Sequence, residues 1–173
     1  ITTTTGGTTD PAPGTYTYPS GSYADVTALP SANYFFDHWV LDGSNAGSTI
    51  SISVLMNSNH NLQAVFSLIN RSLTITVTTG GTTDPVPGIH IYVNGSSVEV
   101  TAIPDANYKF VKWQLNGGDV GSANPYTIVM DANYTLHAVF QQLIYRLTIL
   151  SSPGGTTDPA PGIHTYVNGT NVS

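Results

Sequence analysis

Five histidines, ten acidic residues and a set of Asn-x-Ser/Thr triplets are the side chains in this sequence with chemistry to offer. His38, His60, His90, His137 and His164 are scattered, without the i,i+4 spacing or convergent carboxylates a zinc site requires. Asp10, Asp84 and Asp158 each stand in Thr-Thr-Asp-Pro. One carboxylate per turn is well short of the roughly six to eight oxygens calcium takes, and an Asx turn ahead of proline accounts for the residue. Glycoside hydrolysis needs two facing carboxylates, and Glu99 with dispersed aspartates supplies no such pair. There is no Gly-x-Ser-x-Gly elbow, no phosphate loop and no cysteine for a thiolate, nucleophile or disulfide. These residues read as a non-enzymatic chain without cofactor or bound metal.

Two further sets remain. Asn70, Asn94, Asn133, Asn168 and Asn171 head glycosylation triplets, and Asn94 and Asn168 also precede glycine in turn-forming pairs. Exposed turn tips suit glycans, which would give solubility to a chain with few charges. Trp39 and Trp113, with Phe36, Phe110, Phe66 and Phe140, are either the cores of small modules or a platform for stacking sugars. The core reading is preferred, because a small module needs its large aromatics inside.

Composition narrows the partners. Of 173 residues only 8% are charged, with Lys+Arg 4 against Asp+Glu 10 and net charge −6. So few cations cannot neutralise a run of phosphates, which excludes a nucleic-acid partner. No apolar stretch is long enough for a membrane span. A first residue of Ile1 rather than Met reads as a mature or partial product.

Self-comparison gives the organisation. Gly6-Gly7-Thr8-Thr9-Asp10-Pro11 returns at Gly80 and again at Gly154, a spacing of 74 residues each time. The same shift carries Asn33-Tyr34-x-Phe36-x-x-Trp39 onto Asn107-Tyr108-x-Phe110-x-x-Trp113, and Ala64-Val65-Phe66 onto Ala138-Val139-Phe140. The frame is a module over 1–70, a second over 71–142, and a partial third over 143–173.

Within a module the signals are strands. Leu73, Ile75 and Val77 alternate with threonines, and Leu136, Ala138 and Phe140 alternate likewise. Ile89–Val93, Asn94-Gly95 and Ser97–Ile103 predict a hairpin on a type I′ turn. Tyr108–Leu115, Tyr126–Met130 and Tyr134–Phe140 follow as strands. Phe110 and Trp113 fall on opposite faces of a regular pleat, which predicts a bulge or burial on both sides. No helical period is present, so the fold class is all-β, in modules of about 74 residues.

The block Gly-Gly-Thr-Thr-Asp-Pro, then Val98-x-Val100-Thr101-Ala102-x-Pro104, Tyr108-x-Phe110-x-x-Trp113, Asn124-Pro125-Tyr126-Thr127 and Met130-Asp131-Ala132-Asn133-x-x-Leu136-x-Ala138-Val139-Phe140 resembles the divergent internalin-type B-repeat family. The first module departs from it with Ile50-Ser51-Ile52-Ser53 in place of Asn-Pro-Tyr-Thr. The resemblance implies compact β-grasp-like or β-sandwich modules, arrayed in secreted and surface-anchored microbial proteins as spacers, stalks or adhesive segments. It carries no catalytic residue.

Junctions at Phe66–Arg71 and Phe140–Tyr145 lack Gly and Pro, unlike flexible linkers, and read as strand running into strand. The 143–173 segment holds strands without partners of its own module, so Leu143, Ile144, Leu147, Ile149, Ile163, Tyr166 and the strand at Ile1 are candidate assembly contacts. The expectation is an extracellular building block of a filament, pilus or adhesin stalk that associates with itself. The alternative is a carbohydrate-binding accessory module of a larger secreted protein.

Overall fold

The computed structural model describes residues 1–172 and is built from β-strands, with no helix among the described residues. Two compact units divide it: Ile1–Arg71 with Val93–Gly95, and Ser72–Tyr92 with the chain from Ser96 onward.

In the second unit the Leu-Thr-Ile-Thr alternation forms β8 (Asn70–Val77), burying Leu73 and Ile75. Parallel to it runs β15 (Tyr134–Gln142), with Leu73 opposite Tyr134 and Val77 opposite Ala138. β12 (Tyr108–Leu115) lies antiparallel on the far side of β15, followed by β13 (Gly118–Gly121). β10 (Gly88–Val93) closes the other edge, giving the order β10-β8-β15-β12-β13. The second layer places β11 (Ser97–Pro104) between β14 (Tyr126–Val129) and β9 (Gly81–Asp84). Leu73, Ile75, Val100, Met130, Leu136 and Trp113 share one buried cluster.

The expected Ile89–Ile103 hairpin does not form. β10 is the neighbour of β8 in one sheet, while β11 pairs with β14 and β9 in the other. Gly95 has φ 79° but Asn94 is not left-handed, so the tip is not the type I′ turn that aligns two strands of one ladder. Burial explains the split: Val98, Val100 and Ala102 of β11 are buried, whereas Ile89 and Ile91 of β10 face solvent. The chain turns at Asn94-Gly95 and changes layer.

The bulge is present. The β12–β15 register shifts between Phe110 and Lys112, which brings Phe110 and Trp113 to the same side at 5.0 Å. Phe36 and Trp39 repeat this at 5.0 Å, with the shift between Phe36 and His38.

The first unit repeats the plan. One sheet is β1 (Thr2–Thr3), β7 (Leu62–Leu68), β4 (Tyr34–Leu41) and β5 (Ser44–Asn45). The other holds β2 (Gly7–Asp10), β3 (Tyr23–Pro30) and β6 (Ser51–Leu55). Trp39 and Trp113 are fully buried, and their indole N–H groups donate to Thr49 O and Ala123 O, each at 2.9 Å.

The repeated Thr-Thr-Asp-Pro turn is held by threonine rather than by an Asx turn. Thr9, Thr83 and Thr157 hydroxyls donate to the carbonyls of Pro11, Pro85 and Pro159 at 2.7, 2.6 and 2.7 Å. Asp10 and Asp84 end β2 and β9, exposed. In the 143–173 segment, β16 (Ile144–Ile149) pairs antiparallel with β17 (Gly162–Val167), so these two strands do find each other. Their apolar side chains stay open: Ile144 is 58%, Leu147 41% and Ile163 68% exposed.

Candidate functional site

Three arrangements stand out, and the first looks like chemistry. In the first unit, Ser58 Oγ lies 3.2 Å from His60 Nε2, and His60 Nδ1 lies 2.7 Å from Asp42 Oδ2. A Ser-His-Asp relay has this order of contacts. Asn57 Oδ1, at 3.1 Å, competes for the same Nε2. The second unit tells what the set is for. There Tyr134 donates to Asp131, as His60 reaches Asn57, and Asn116 Oδ1 accepts from Thr135 N at 2.9 Å, as Asp42 Oδ1 accepts from Asn61 N at 2.7 Å. Asp42 and Asn116 both adopt left-handed φ, 50° and 49°. Different residues build one loop clamp, so the geometry serves the turn into β7 and β15 rather than nucleophilic catalysis.

The clamp titrates. The Asn61 backbone N–H, with the His60 ring second, holds the Asp42 carboxyl below its ordinary value of 3.8. A carboxylate lowered in the folded state contributes stability that is complete above the unfolded value and lost as pH falls through the lowered one. The first unit therefore loses stability below 3.8. Asp42→Asn keeps the acceptor for Asn61, as Asn116 does for Thr135, and is expected to flatten that acid limb. Urea unfolding followed through Trp39 in a Trp113→Phe background checks this; an unchanged acid limb would count against the clamp. In the second unit the Lys112 ammonium, 2.5 Å away, and the Gln114 amide lower Asp119 in the same sense.

The second arrangement is a pair of asparagines recurring in each unit. In the first, Asn33 (φ 67°) accepts from Asn94 Nδ2 at 3.0 Å, and Asn94 Oδ1 accepts from Arg71 Nε at 2.8 Å. Backbone bonds join the set: Ile69 N to Asn33 O, and Asn94 N to Ile69 O, each 2.8 Å. The second unit repeats it with Asn107 (φ 67°), Asn168 and Leu143: Asn168 Nδ2 donates to Asn107 Oδ1 at 2.9 Å and Leu143 N to Asn107 O at 2.7 Å. Sequence reasoning missed Asn33 and Asn107 as functional residues. Their recurrence at the 74-residue spacing, together with that of Asn94 and Asn168, was the available signal.

The third is a groove of about 370 Å³ in the first unit. Its apolar wall is Ile1, Ala24, Val26, Val54, Met56 and Leu62, with Thr15–Tyr18 and Asn59–Asn61 along the rim.

The other candidates fall as follows. Among the sequons, Asn70, Asn133 and Asn171 are exposed, and Asn133 Oδ1 accepts from Ser72 N; Ser173 of the last triplet lies outside the described residues. Phe66 and Phe140 are buried and Phe36 and Phe110 half-buried, all around the two indoles. Ile1 is half-buried beside the groove, and Ile149 and Tyr166 are half-buried. Among the described residues no group of three His, Cys, Asp or Glu side chains is placed to hold a metal ion. No helix there is long and apolar enough to cross a membrane.

Two units of one plan, whose most chemical-looking side chains hold turns, define a tandem-repeat all-β structural module. The chain belongs to the family of the divergent InlB B-repeat domain, which matches residues 1–70 and again 71–143. Domains of this family are structural repeats associated with bacterial surface proteins, which points to an extracellular or cell-surface tandem module. Neither a curated protein nor a solved structure matches the chain.

Proposed function

We propose that this chain is a non-enzymatic building block of a cell-surface filament, pilus or adhesin stalk, assembling through its strands with further copies of itself. The observation that carries the reading is the β16–β17 pair. Leu147 of β16 is 41% exposed, while its repeat counterpart Leu73 in β8 is fully buried between β10 and β15. Exposed apolar side chains on a strand pair invite cover by further strands, whether of a following repeat or of another copy. Family membership supports the extracellular setting. Against a sugar-stacking platform, both indoles are enclosed in the cores.

Glycans belong to the same reading. Asn70 and Asn133 are exposed acceptors, whereas Asn94 Nδ2, the atom a glycan would take, is engaged with Asn33. The test of assembly is negative-stain electron microscopy of the native chain beside a variant lacking 143–173. Filaments in the first and isolated particles in the second are expected. Isolated particles in both, at every concentration tried, would overturn the proposal.

A further inference from the structure

Three asparagines of this chain are followed by glycine: Asn94, Asn116 and Asn168. Such a pair has a reaction of its own. The backbone nitrogen of the second residue can attack the side-chain amide carbon of the first, and glycine has no side chain to stand in the way.

The fold treats the three pairs differently. Asn94 is half-buried with both ends of its amide tied, Nδ2 to Asn33 Oδ1 and Oδ1 to Arg71 Nε. The cation polarises this amide, but the group cannot swing toward Gly95 without breaking both bonds. Asn168 is half-buried too, with Nδ2 donating to Asn107 Oδ1. Asn116, in the turn between β12 and β13, is exposed, as is Gly117. Its Oδ1 accepts from Thr135 N at 2.9 Å, while its Nδ2 has no hydrogen bond among the described residues. The space beside Gly117 is open, since a Cβ there would meet nothing within 4 Å.

We propose that Asn116 is a site of spontaneous deamidation, at which the second unit exchanges its neutral loop clamp for the carboxylate clamp of the first. As the turn opens, the Gly117 nitrogen gives up its proton to water and bonds to Cγ of Asn116. Negative charge develops on Oδ1, where the Thr135 N–H already donates. The bond from Cγ to Nδ2 then breaks and ammonia leaves, closing a succinimide ring. Water opens the ring at either of its carbonyls, giving aspartate or isoaspartate.

The first unit shows that the aspartate product fits. Asp42 holds the repeat place of Asn116, at φ 50° against 49°, and its Oδ1 accepts from Asn61 N at 2.7 Å. Isoaspartate instead lengthens the backbone by a methylene, in the two-residue loop that joins Leu115 to Gly118. That product breaks the β12–β13 register, and β13 is an edge strand, so the other strands of the sheet keep their partners. The chemistry needs only water and is independent of assembly.

The test is to age the full chain in mildly alkaline buffer, folded and in urea, and to follow the acid-for-amide mass increment at each pair by peptide mapping. In the folded chain Asn116 is expected to convert at least about tenfold faster than Asn94, whose amide has one more hydrogen bond to break, and that one to a cation. In urea the three pairs should convert alike, since the fold is what separates them. Asn33→Ala frees Nδ2 of Asn94 and should bring its rate toward that of Asn116, with a cooperative urea transition showing that the variant is folded. Asn94 converting as fast as Asn116 in the folded chain, or Asn116 staying intact there while the unfolded chain converts, overturns the assignment.

Discussion

Trp113→Ala is expected to remove most of the stability of the second unit. The indole is fully buried, packs at 5.0 Å on Phe110 and 6.3 Å on Tyr126, and donates to Ala123 O. Truncating a buried tryptophan to alanine costs about 3–5 kcal/mol, and stranding the Ala123 carbonyl adds about 1 kcal/mol. Modules this small sit near the low end of the 5–15 kcal/mol, roughly, that folded domains hold in reserve. The loss is therefore close to total. Trp39 becomes the only indole in this variant and reports the first unit alone. Far-ultraviolet dichroism against urea should show one broad part of the signal gone before denaturant is added, with a cooperative Trp39 fluorescence transition remaining. A dichroism midpoint unchanged from the parent chain would refute the central place given to Trp113.

The second large effect lies where the backbone has no room for a methyl group. Gly80 has φ +107°, and a Cβ there would sit 2.0 Å from Cδ1 of Tyr108. The ring is itself packed against the core cluster, so it cannot swing clear cheaply. Gly80→Ala combines left-handed strain, about 1–2 kcal/mol, with overpacking of about 1–3 kcal/mol, for a destabilisation of roughly 3 kcal/mol. Gly117→Ala separates the two causes: φ is +84°, nothing lies within 4 Å, and only the strain of about 1 kcal/mol is expected. Gly6, with Tyr34 at 2.1 Å, is an internal replicate. Equal urea midpoints for Gly80→Ala and Gly117→Ala would show that the tyrosine contact is not what fixes glycine here.

Much of this architecture is legible in the residues, because its causes are local or periodic. The alternation of Leu73, Ile75 and Val77 reads out as β8, and the three-residue spacing of Phe110 and Trp113 calls for a bulge or two-sided burial, of which the structure has the bulge. The family is legible for the same reason, since its spaced motifs recur in order at a fixed interval. Layer assignment is a different kind of fact. Asn94-Gly95 announces a turn, but whether the next strand continues the same sheet depends on where Val98 and Val100 find a core. The groove of the first unit is divided in the same way. Ile1 is legible as an apolar residue opening the chain, while the groove it lines with Met56 exists only once distant segments are folded together. The Asn33–Asn94 pair spans 61 residues, and nothing local to either asparagine names the other.

The parallel pairing of β8 with β15 has a mechanical meaning. These are the first and last strands of one repeat, side by side and pointing the same way, from Leu73 against Tyr134 to Val77 against Ala138. The chain thus enters the repeat at one end of this ladder and leaves it at the other. Tension applied through the backbone pulls the two strands past each other lengthwise, so that every rung bears load at once. Strands that ran antiparallel would be peeled open one rung after another. A repeat joined in this manner transmits traction while keeping its core closed.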